Sequence, residues 1–172
     1  FAVDDRIKAV AKVSIDHDRS HYANSQGETN LRRAAVSYFN RHFDIHLGGI
    51  DQVLVTQGVS EGINVVFMTI LERGDGVIIP EPSYSPYSTS LALAGGVKVA
   101  LDTAPDNFKI TPASIERAID QATVPVKAIL INYPNNPTGV TYSESELSAI
   151  ADTLKKHRIW VISDEIYAAL TY

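Results

Sequence analysis

Four short strings in this chain carry side chains able to hold a charged, flat ligand. Gly58-Val59-Ser60-Glu61-Gly62 precedes a run of helical periodicity, so it offers backbone amides, the positive end of a helix dipole and one hydroxyl. A phosphate suits such a turn, and an ordinary helix cap at Ser60 is the competing role. The string lacks the three-glycine spacing of a dinucleotide fingerprint and the Lys-Ser/Thr ending of a nucleotide P-loop. Pro80-Glu81-Pro82-Ser83-Tyr84-Ser85-Pro86-Tyr87 is a rigid stretch that could present an aromatic face to a flat ring, or simply pack two tyrosines. In Asn132-Tyr133-Pro134-Asn135-Asn136-Pro137-Thr138-Gly139 the prolines fix the backbone, so an Asn amide can donate from a preset direction. Asp164-Glu165-Ile166-Tyr167 sets a carboxylate near a phenol. A carboxylate buried there needs a cation or several donors, and a protonated ring nitrogen would serve; capping the next helix is the alternative.

The periodicities around these strings say what must position them. Leu31, Ala35, Tyr38, Phe39 and His42 have helical spacing, which predicts an amphipathic helix over 29–43. Val53 to Val55 reads as a strand, and Ile63, Val66, Phe67, Ile70 and Leu71 read as the helix after it, with Ser60 as N-cap and Gly74 as left-handed C-cap residue. Further β-branched runs follow at Val77–Ile79, Val97–Leu101, Ala128–Ile131 and Ile159–Ile162. Between them, Thr111-Pro112 opens one helix, and Ser143 with Glu146 forms a capping box for another. Strands alternating with helices imply a parallel sheet, and strands apolar on both faces need helices on both sides. The expectation is an α/β fold, a three-layer α/β/α sandwich with a mainly parallel sheet, as one domain over 1–172. In such a sheet ligands bind beyond the carboxyl ends of the strands, where all four strings fall.

The composition narrows the partners. Fifteen Lys and Arg against twenty Asp and Glu leave a net charge of −5, so no basic footprint for a nucleic-acid backbone or an anionic membrane is present. There is no cysteine, which removes disulfides and thiolate chemistry and fits a reducing compartment such as the cytoplasm. The apolar stretch from Val65 to Leu71 falls far short of the roughly 20 residues that span a bilayer. His17 with His21, and His42 with His46, have i, i+4 spacing, but neither pair has a metalloprotease Glu or a clear third ligand, and no metal site is expected. A small-molecule ligand remains.

Taken together the groups suit an anionic phosphate, a flat ring, a phenolate-type oxygen and a ring nitrogen that gains from protonation, which describes pyridoxal 5′-phosphate. From Tyr22 to Tyr172 the strings resemble the class I/II aminotransferases of the fold-type I pyridoxal-phosphate enzymes. The resemblance implies a portion of that family's large cofactor-binding domain. It implies that Val59 and Ser60 serve the phosphate and that Tyr84 stacks on the pyridine ring. It implies that Asn136 and Tyr167 share the ring oxygen, and that Asp164 holds the pyridine nitrogen protonated, making the ring an electron sink. Tyr22, in Tyr22-Ala23-Asn24-Ser25-Gln26-Gly27, resembles the tyrosine that reaches a neighbouring subunit's cofactor phosphate, which implies a homodimer; a loop aromatic packed at home is the other reading.

The family's chemistry also needs a Schiff-base lysine and a substrate-gripping arginine, and the resemblance places both downstream of Tyr172. Lys98, Lys127, Lys155 and Lys156 fall within a strand, at a strand's amino end and at a helix end, away from the ligand edge. The start at Phe1 reads as a cut or processed end. The expected function is amino-group transfer between an amino acid and a 2-oxo acid, with the 172-residue piece inactive alone. A carbon–sulfur β-lyase on the same cradle and a truncated, non-catalytic binding domain are the alternatives. Pyridoxal phosphate should bind the 172-residue chain reversibly, and borohydride should fix no lysine adduct at the site. Peptide mapping that found such an adduct would refute the lysine argument.

Overall fold

The computed structural model describes residues 2–43 and 45–171, which separate into two compact units, Phe1–Thr56 and Gln57–Tyr172. In the first, helix α1 (Asp5–Asp16) is additional to the expected elements. Asp4 caps it by accepting from the Arg6 N–H at 2.9 Å. Helix α2 (Thr29–His42) is the expected amphipathic helix.

The expected strand at Val53–Val55 does not form, because its backbone groups bond elsewhere. The carbonyl of Val53 accepts from Arg32 Nε at 2.9 Å, and the N–H of Val55 donates to the carbonyl of Gln26 at 3.1 Å. Arg32 is 4% exposed and also donates to the carbonyl of Ile50, so a guanidinium on α2 occupies the acceptors that a neighbouring strand would use. Gly27 makes the approach of the two segments feasible. Its φ is +96°, and a Cβ there would sit 2.5 Å from that of Val55.

The second unit runs α3 (Gly58–Ile70), β1 (Gly76–Glu81), α4 (Pro86–Leu93), β2 (Val97–Asp102), α5 (Pro112–Asp120), β3 (Val126–Asn132), α6 (Glu144–His157) and β4 (Trp160–Asp164). The strands form one sheet in the order β2-β1-β3-β4, parallel throughout. Strand residues alternate between two cores. Val77, Ile79, Ala128 and Leu130 pack with Ile63 and Phe67 of α3 and Leu91 of α4. Ile78, Ile129 and Ile131 face the other way, with Ile115 of α5 and Ile150 and Leu154 of α6. This is the expected three-layer α/β/α arrangement, and it explains why β1 and β3 are apolar at successive positions. Burying an aliphatic side chain as fully as Ile129 contributes about 1.5–3 kcal/mol.

Helix starts follow their local chemistry. Thr111 accepts from Ser114 N–H at 3.1 Å while its own N–H donates to Ser114 Oγ at 2.9 Å, and Pro112 occupies the first turn. The expected Ser143–Glu146 box is present. Two expected caps are not. Gln57, not Ser60, is the N-cap of α3: the Glu61 carboxylate reaches back to the Gln57 N–H, and Gly58, with φ +78°, turns the chain into the helix three residues earlier than expected. Helix α3 then ends at Ile70 on the extended Leu71, so Gly74, with φ +94°, belongs to the turn before β1 and caps no helix. Helix α4 is also additional: the proline-rich string is a helix start, with Pro86 in its first turn. Among the described residues, no helix is long and apolar enough to cross a membrane.

Replacing Ile129, wholly buried between the layers, with alanine should cost about 2–5 kcal/mol in urea-unfolding free energy. Glu146 gives a pH test. Its carboxyl is lowered from 4.5 to about 2, first by the hydrogen bond from Lys109 Nζ at 2.7 Å and then by Ser143. A depressed folded-state value stabilises above the unfolded value and is lost as acid protonates the folded group. The stability difference between the native protein and Glu146→Gln should therefore be constant above about pH 5 and shrink between about pH 4.5 and 2. A difference independent of pH across that window would show that the pair contributes nothing.

Candidate active site

The strand order reverses between β1 and β3, the chain passing from β1 to β2 at one edge of the sheet and from β3 to β4 at the opposite edge. Such a switch point leaves a crevice at the carboxyl ends of the strands, because the connections leave in opposite directions. A cavity of about 250 Å³ lies there, formed by the first turn of α3, the start of α4, the loop after β3 and the end of β4. Val59, Ser60, Tyr84, Asn136, Asp164 and Tyr167 all line it, so the expected residues of this unit come together from four separate chain segments. Tyr22 belongs to the first unit, where its side chain is fully exposed in the loop after α1.

Asp164 is the last residue of β4 and 5% exposed. Its Oδ2 accepts from the Tyr87 hydroxyl at 2.6 Å, and its Oδ1 accepts from the Ile166 N–H at 3.1 Å. The second bond is the local turn cap a lone Asp would make; the first reaches across from α4. Burial raises the Tyr87 phenol well above its usual range, and the hydrogen bond to Asp164 and that carboxylate's charge push the same way. Tyr87 is therefore a neutral donor. Among the described residues no Lys or Arg forms an ion pair with Asp164, so its charge is held by neutral donors alone.

Asn132, at the end of β3 and 6% exposed, ties the two strand ends together. Its Nδ2 donates to the carbonyl of Asp164 at 3.0 Å, and its Oδ1 accepts the N–H of Asn136 at 2.8 Å. The loop beyond is braced by Asn135, whose Oδ1 accepts from the Thr138 hydroxyl at 2.7 Å. Asn136 is thereby aimed so that its Nδ2 donates to the Tyr167 hydroxyl at 3.4 Å. An amide and a phenol converging on one spot can together receive a single oxygen. The Tyr84 ring, partly exposed, stands edge-on to Tyr87, with centroids 5.4 Å apart and planes at 77°.

At the other end of the cavity, Val59 and Ser60 lie in the first turn of α3, where helical N–H groups have no acceptor within the helix. Because the cap is made elsewhere, the Ser60 hydroxyl is not committed to it. The site thus has a donor-rich, electropositive end and an anionic, aromatic end. Tyr87 and Asn132 are the functional positions that sequence reasoning missed. Both lie inside the quoted strings, but which polar side chain of a turn faces inward depends on the packing of α4 and β3. Among the described residues no group of three or more His, Asp or Glu is placed to hold a metal.

Comparison with known proteins agrees with this arrangement. Residues 2–172 match the family model for aminotransferase class I and II. The chain is 40% identical over 172 residues to a Bacillus subtilis protein named "Probable N-acetyl-LL-diaminopimelate aminotransferase", covering 100% of this chain and 43% of that one. It is 38% identical to the B. subtilis aspartate aminotransferase over 160 residues, 92% of this chain and 40% of that one. The solved aspartate aminotransferase from Thermus thermophilus with maleate superposes with a TM-score of 0.92 at 32% identity, over 100% of this chain and 44% of that one. This chain therefore spans less than half the length of the relatives it matches. With the fold, the switch-point cavity and the match over residues 2–172 in agreement, the chain belongs to the class I and II aminotransferases.

Proposed function

We propose that this chain supplies the cofactor cradle of a pyridoxal-phosphate-dependent aminotransferase that moves an amino group between an amino acid and a 2-oxo acid. The observation that carries this reading is the Asp164 carboxylate, buried at the cavity with neutral donors only. A buried carboxylate without a cation is costly, and a protonated heteroaromatic nitrogen would compensate it.

The remaining donors fit the same group. Val59 and Ser60 would take its phosphate with first-turn amides and a hydroxyl, Tyr84 would cover the ring face, and Asn136 with Tyr167 would hold the ring oxygen in its ionised form. When bound, pyridoxal phosphate supplies an electron sink for carbanionic character at the substrate Cα. The chain's own part is to keep that sink charged: Asp164 holds a proton on the ring nitrogen, and Asn136 and Tyr167 stabilise charge on the oxygen. Tyr22 would contribute to the cofactor phosphate of a neighbouring copy in a homodimer. The chain itself is part of the large domain of such an enzyme.

In the whole protein, Asp164→Asn should lower kcat for amino-group transfer by at least about a hundredfold, because charge develops against that residue in the reaction. Ser60→Ala should instead weaken cofactor binding about tenfold and leave kcat at saturating cofactor nearly unchanged, the loss of one charge-assisted hydrogen bond. Absorbance titration of the cofactor and steady-state assay separate the two. An Asp164→Asn protein as active as the native one would overturn the reading.

A further inference from the structure

Tyr87 has no role in the cradle as the family resemblance assigns it, yet it touches two members of that cradle at once. Its hydroxyl donates to Asp164 Oδ2 at 2.6 Å, and its ring packs T-shaped with that of Tyr84, centroids 5.4 Å apart. The ring has an independent reason to be there, since it packs with Ile63, Phe67 and Leu91 in the core between the sheet and the α3/α4 layer. The hydroxyl does not share that reason. A core position filled by phenylalanine would pack the same cluster and would leave Asp164 with one donor fewer.

The chemistry of the donor matters as much as its place. An arginine or lysine at position 87 would also satisfy Asp164, but it would neutralise the carboxylate and remove its attraction for a cationic ring. A phenol fixes one carboxylate oxygen in space without cancelling the charge. The rise in the Tyr87 phenol through burial keeps it a donor throughout the ordinary pH range. With Oδ2 held by Tyr87 and Oδ1 by the Ile166 N–H, the plane of the carboxylate is fixed before any ligand arrives.

We propose that Tyr87 is a positioning residue: its hydroxyl orients Asp164 for a protonated ring nitrogen while its ring orients Tyr84, so that recognition of the nitrogen depends on Tyr87. The inference rests on the cofactor reading above, and the test separates the two. In the whole protein, binding of pyridoxal 5′-phosphate is compared with that of 1-deazapyridoxal 5′-phosphate, which keeps the aldehyde, ring hydroxyl and phosphate but has C–H in place of the ring nitrogen.

The native protein should prefer the nitrogen ring. Tyr87→Phe should cut that preference by about tenfold, the loss of one hydrogen bond to a charged group. Affinity for the carbon-ring analogue should stay within about twofold, as expected of a change that spares the packing. Asp164→Asn should abolish the preference, and adding Tyr87→Phe to it should change nothing more, because the hydroxyl acts through Asp164. A Tyr87→Phe protein that loses affinity for both ligands equally, or that keeps the full preference, overturns the role of Tyr87 while leaving the cofactor reading intact. A native protein with no preference overturns the cofactor reading and this inference together. Should Tyr87→Phe fail to fold, 4-fluorophenylalanine at position 87 fills the space of the hydroxyl without donating to Asp164. The preference should then fall about tenfold with carbon-ring binding unchanged, and an undiminished preference would overturn the proposal.

Discussion

Placing a buried carboxylate at the carboxyl end of a strand is the demand around which the rest of this site is organised. Asp164 sits where β4 leaves the sheet, too deep for water to solvate it fully and without a cationic side chain beside it. Desolvating such a group costs several kcal/mol unless donors surround it, so the neighbourhood must provide them. It does so from two directions, Tyr87 from α4 and the Ile166 amide from the chain just beyond the strand, while Asn132 from β3 holds the backbone carbonyl of the same residue. Each donor is neutral, so geometry is fixed and charge is kept.

The parallel sheet makes that convergence possible. Strands running in one direction deliver their carboxyl ends to one edge, and the reversal of order between β1 and β3 opens a gap there instead of a packed loop layer. The register of β3 and β4 pairs Asn132 with Asp164 directly, which puts the Asn132 amide within reach of the Asp164 carbonyl. A slip of one residue in either strand would turn that strand's side chain to the opposite face of the sheet from its partner. The two apolar cores above and below, with Ile129 and Leu130 at successive positions facing opposite layers, hold the register. Packing far from the cavity thus decides whether the polar groups meet.

Much of this was legible in the residues themselves. The four strands that formed are β-branched runs between helix signals, and Thr111 and Ser143 start their helices as their side-chain chemistry dictates. The six expected positions lining the cavity lie in four strings, three of which their proline, glycine or asparagine content already marked as turns. What stayed hidden depended on competition between distant partners. Val53–Val55 has strand-like composition, but Arg32, twenty-one residues earlier in the chain at Val53, takes the acceptor that pairing needs. Ser60 has cap chemistry, but Glu61 and the left-handed Gly58 start the helix sooner. Tyr87 reads as one more packing aromatic until the fold brings Asp164, seventy-seven residues away, against its hydroxyl.

The two ends of the cavity are built under different constraints, and this bears on how each can change. At the α3 end the donors are first-turn amides and an exposed serine hydroxyl, supplied by a helix that Ile63 and Phe67 anchor in the core. Replacing the Ser60 hydroxyl alters the polar lining of the cavity and leaves the core untouched. At the β4 end the same residues that would contact a ligand also satisfy one another: removing Asn132 would strip a donor from Asp164 and an acceptor from Asn136 together. A buried polar network loses more than one bond when a member goes, because each partner left behind is unsatisfied. The anionic end is therefore coupled to folding in a way that the exposed Ser60 hydroxyl is not, and variation is more easily absorbed at that hydroxyl than at the strand ends.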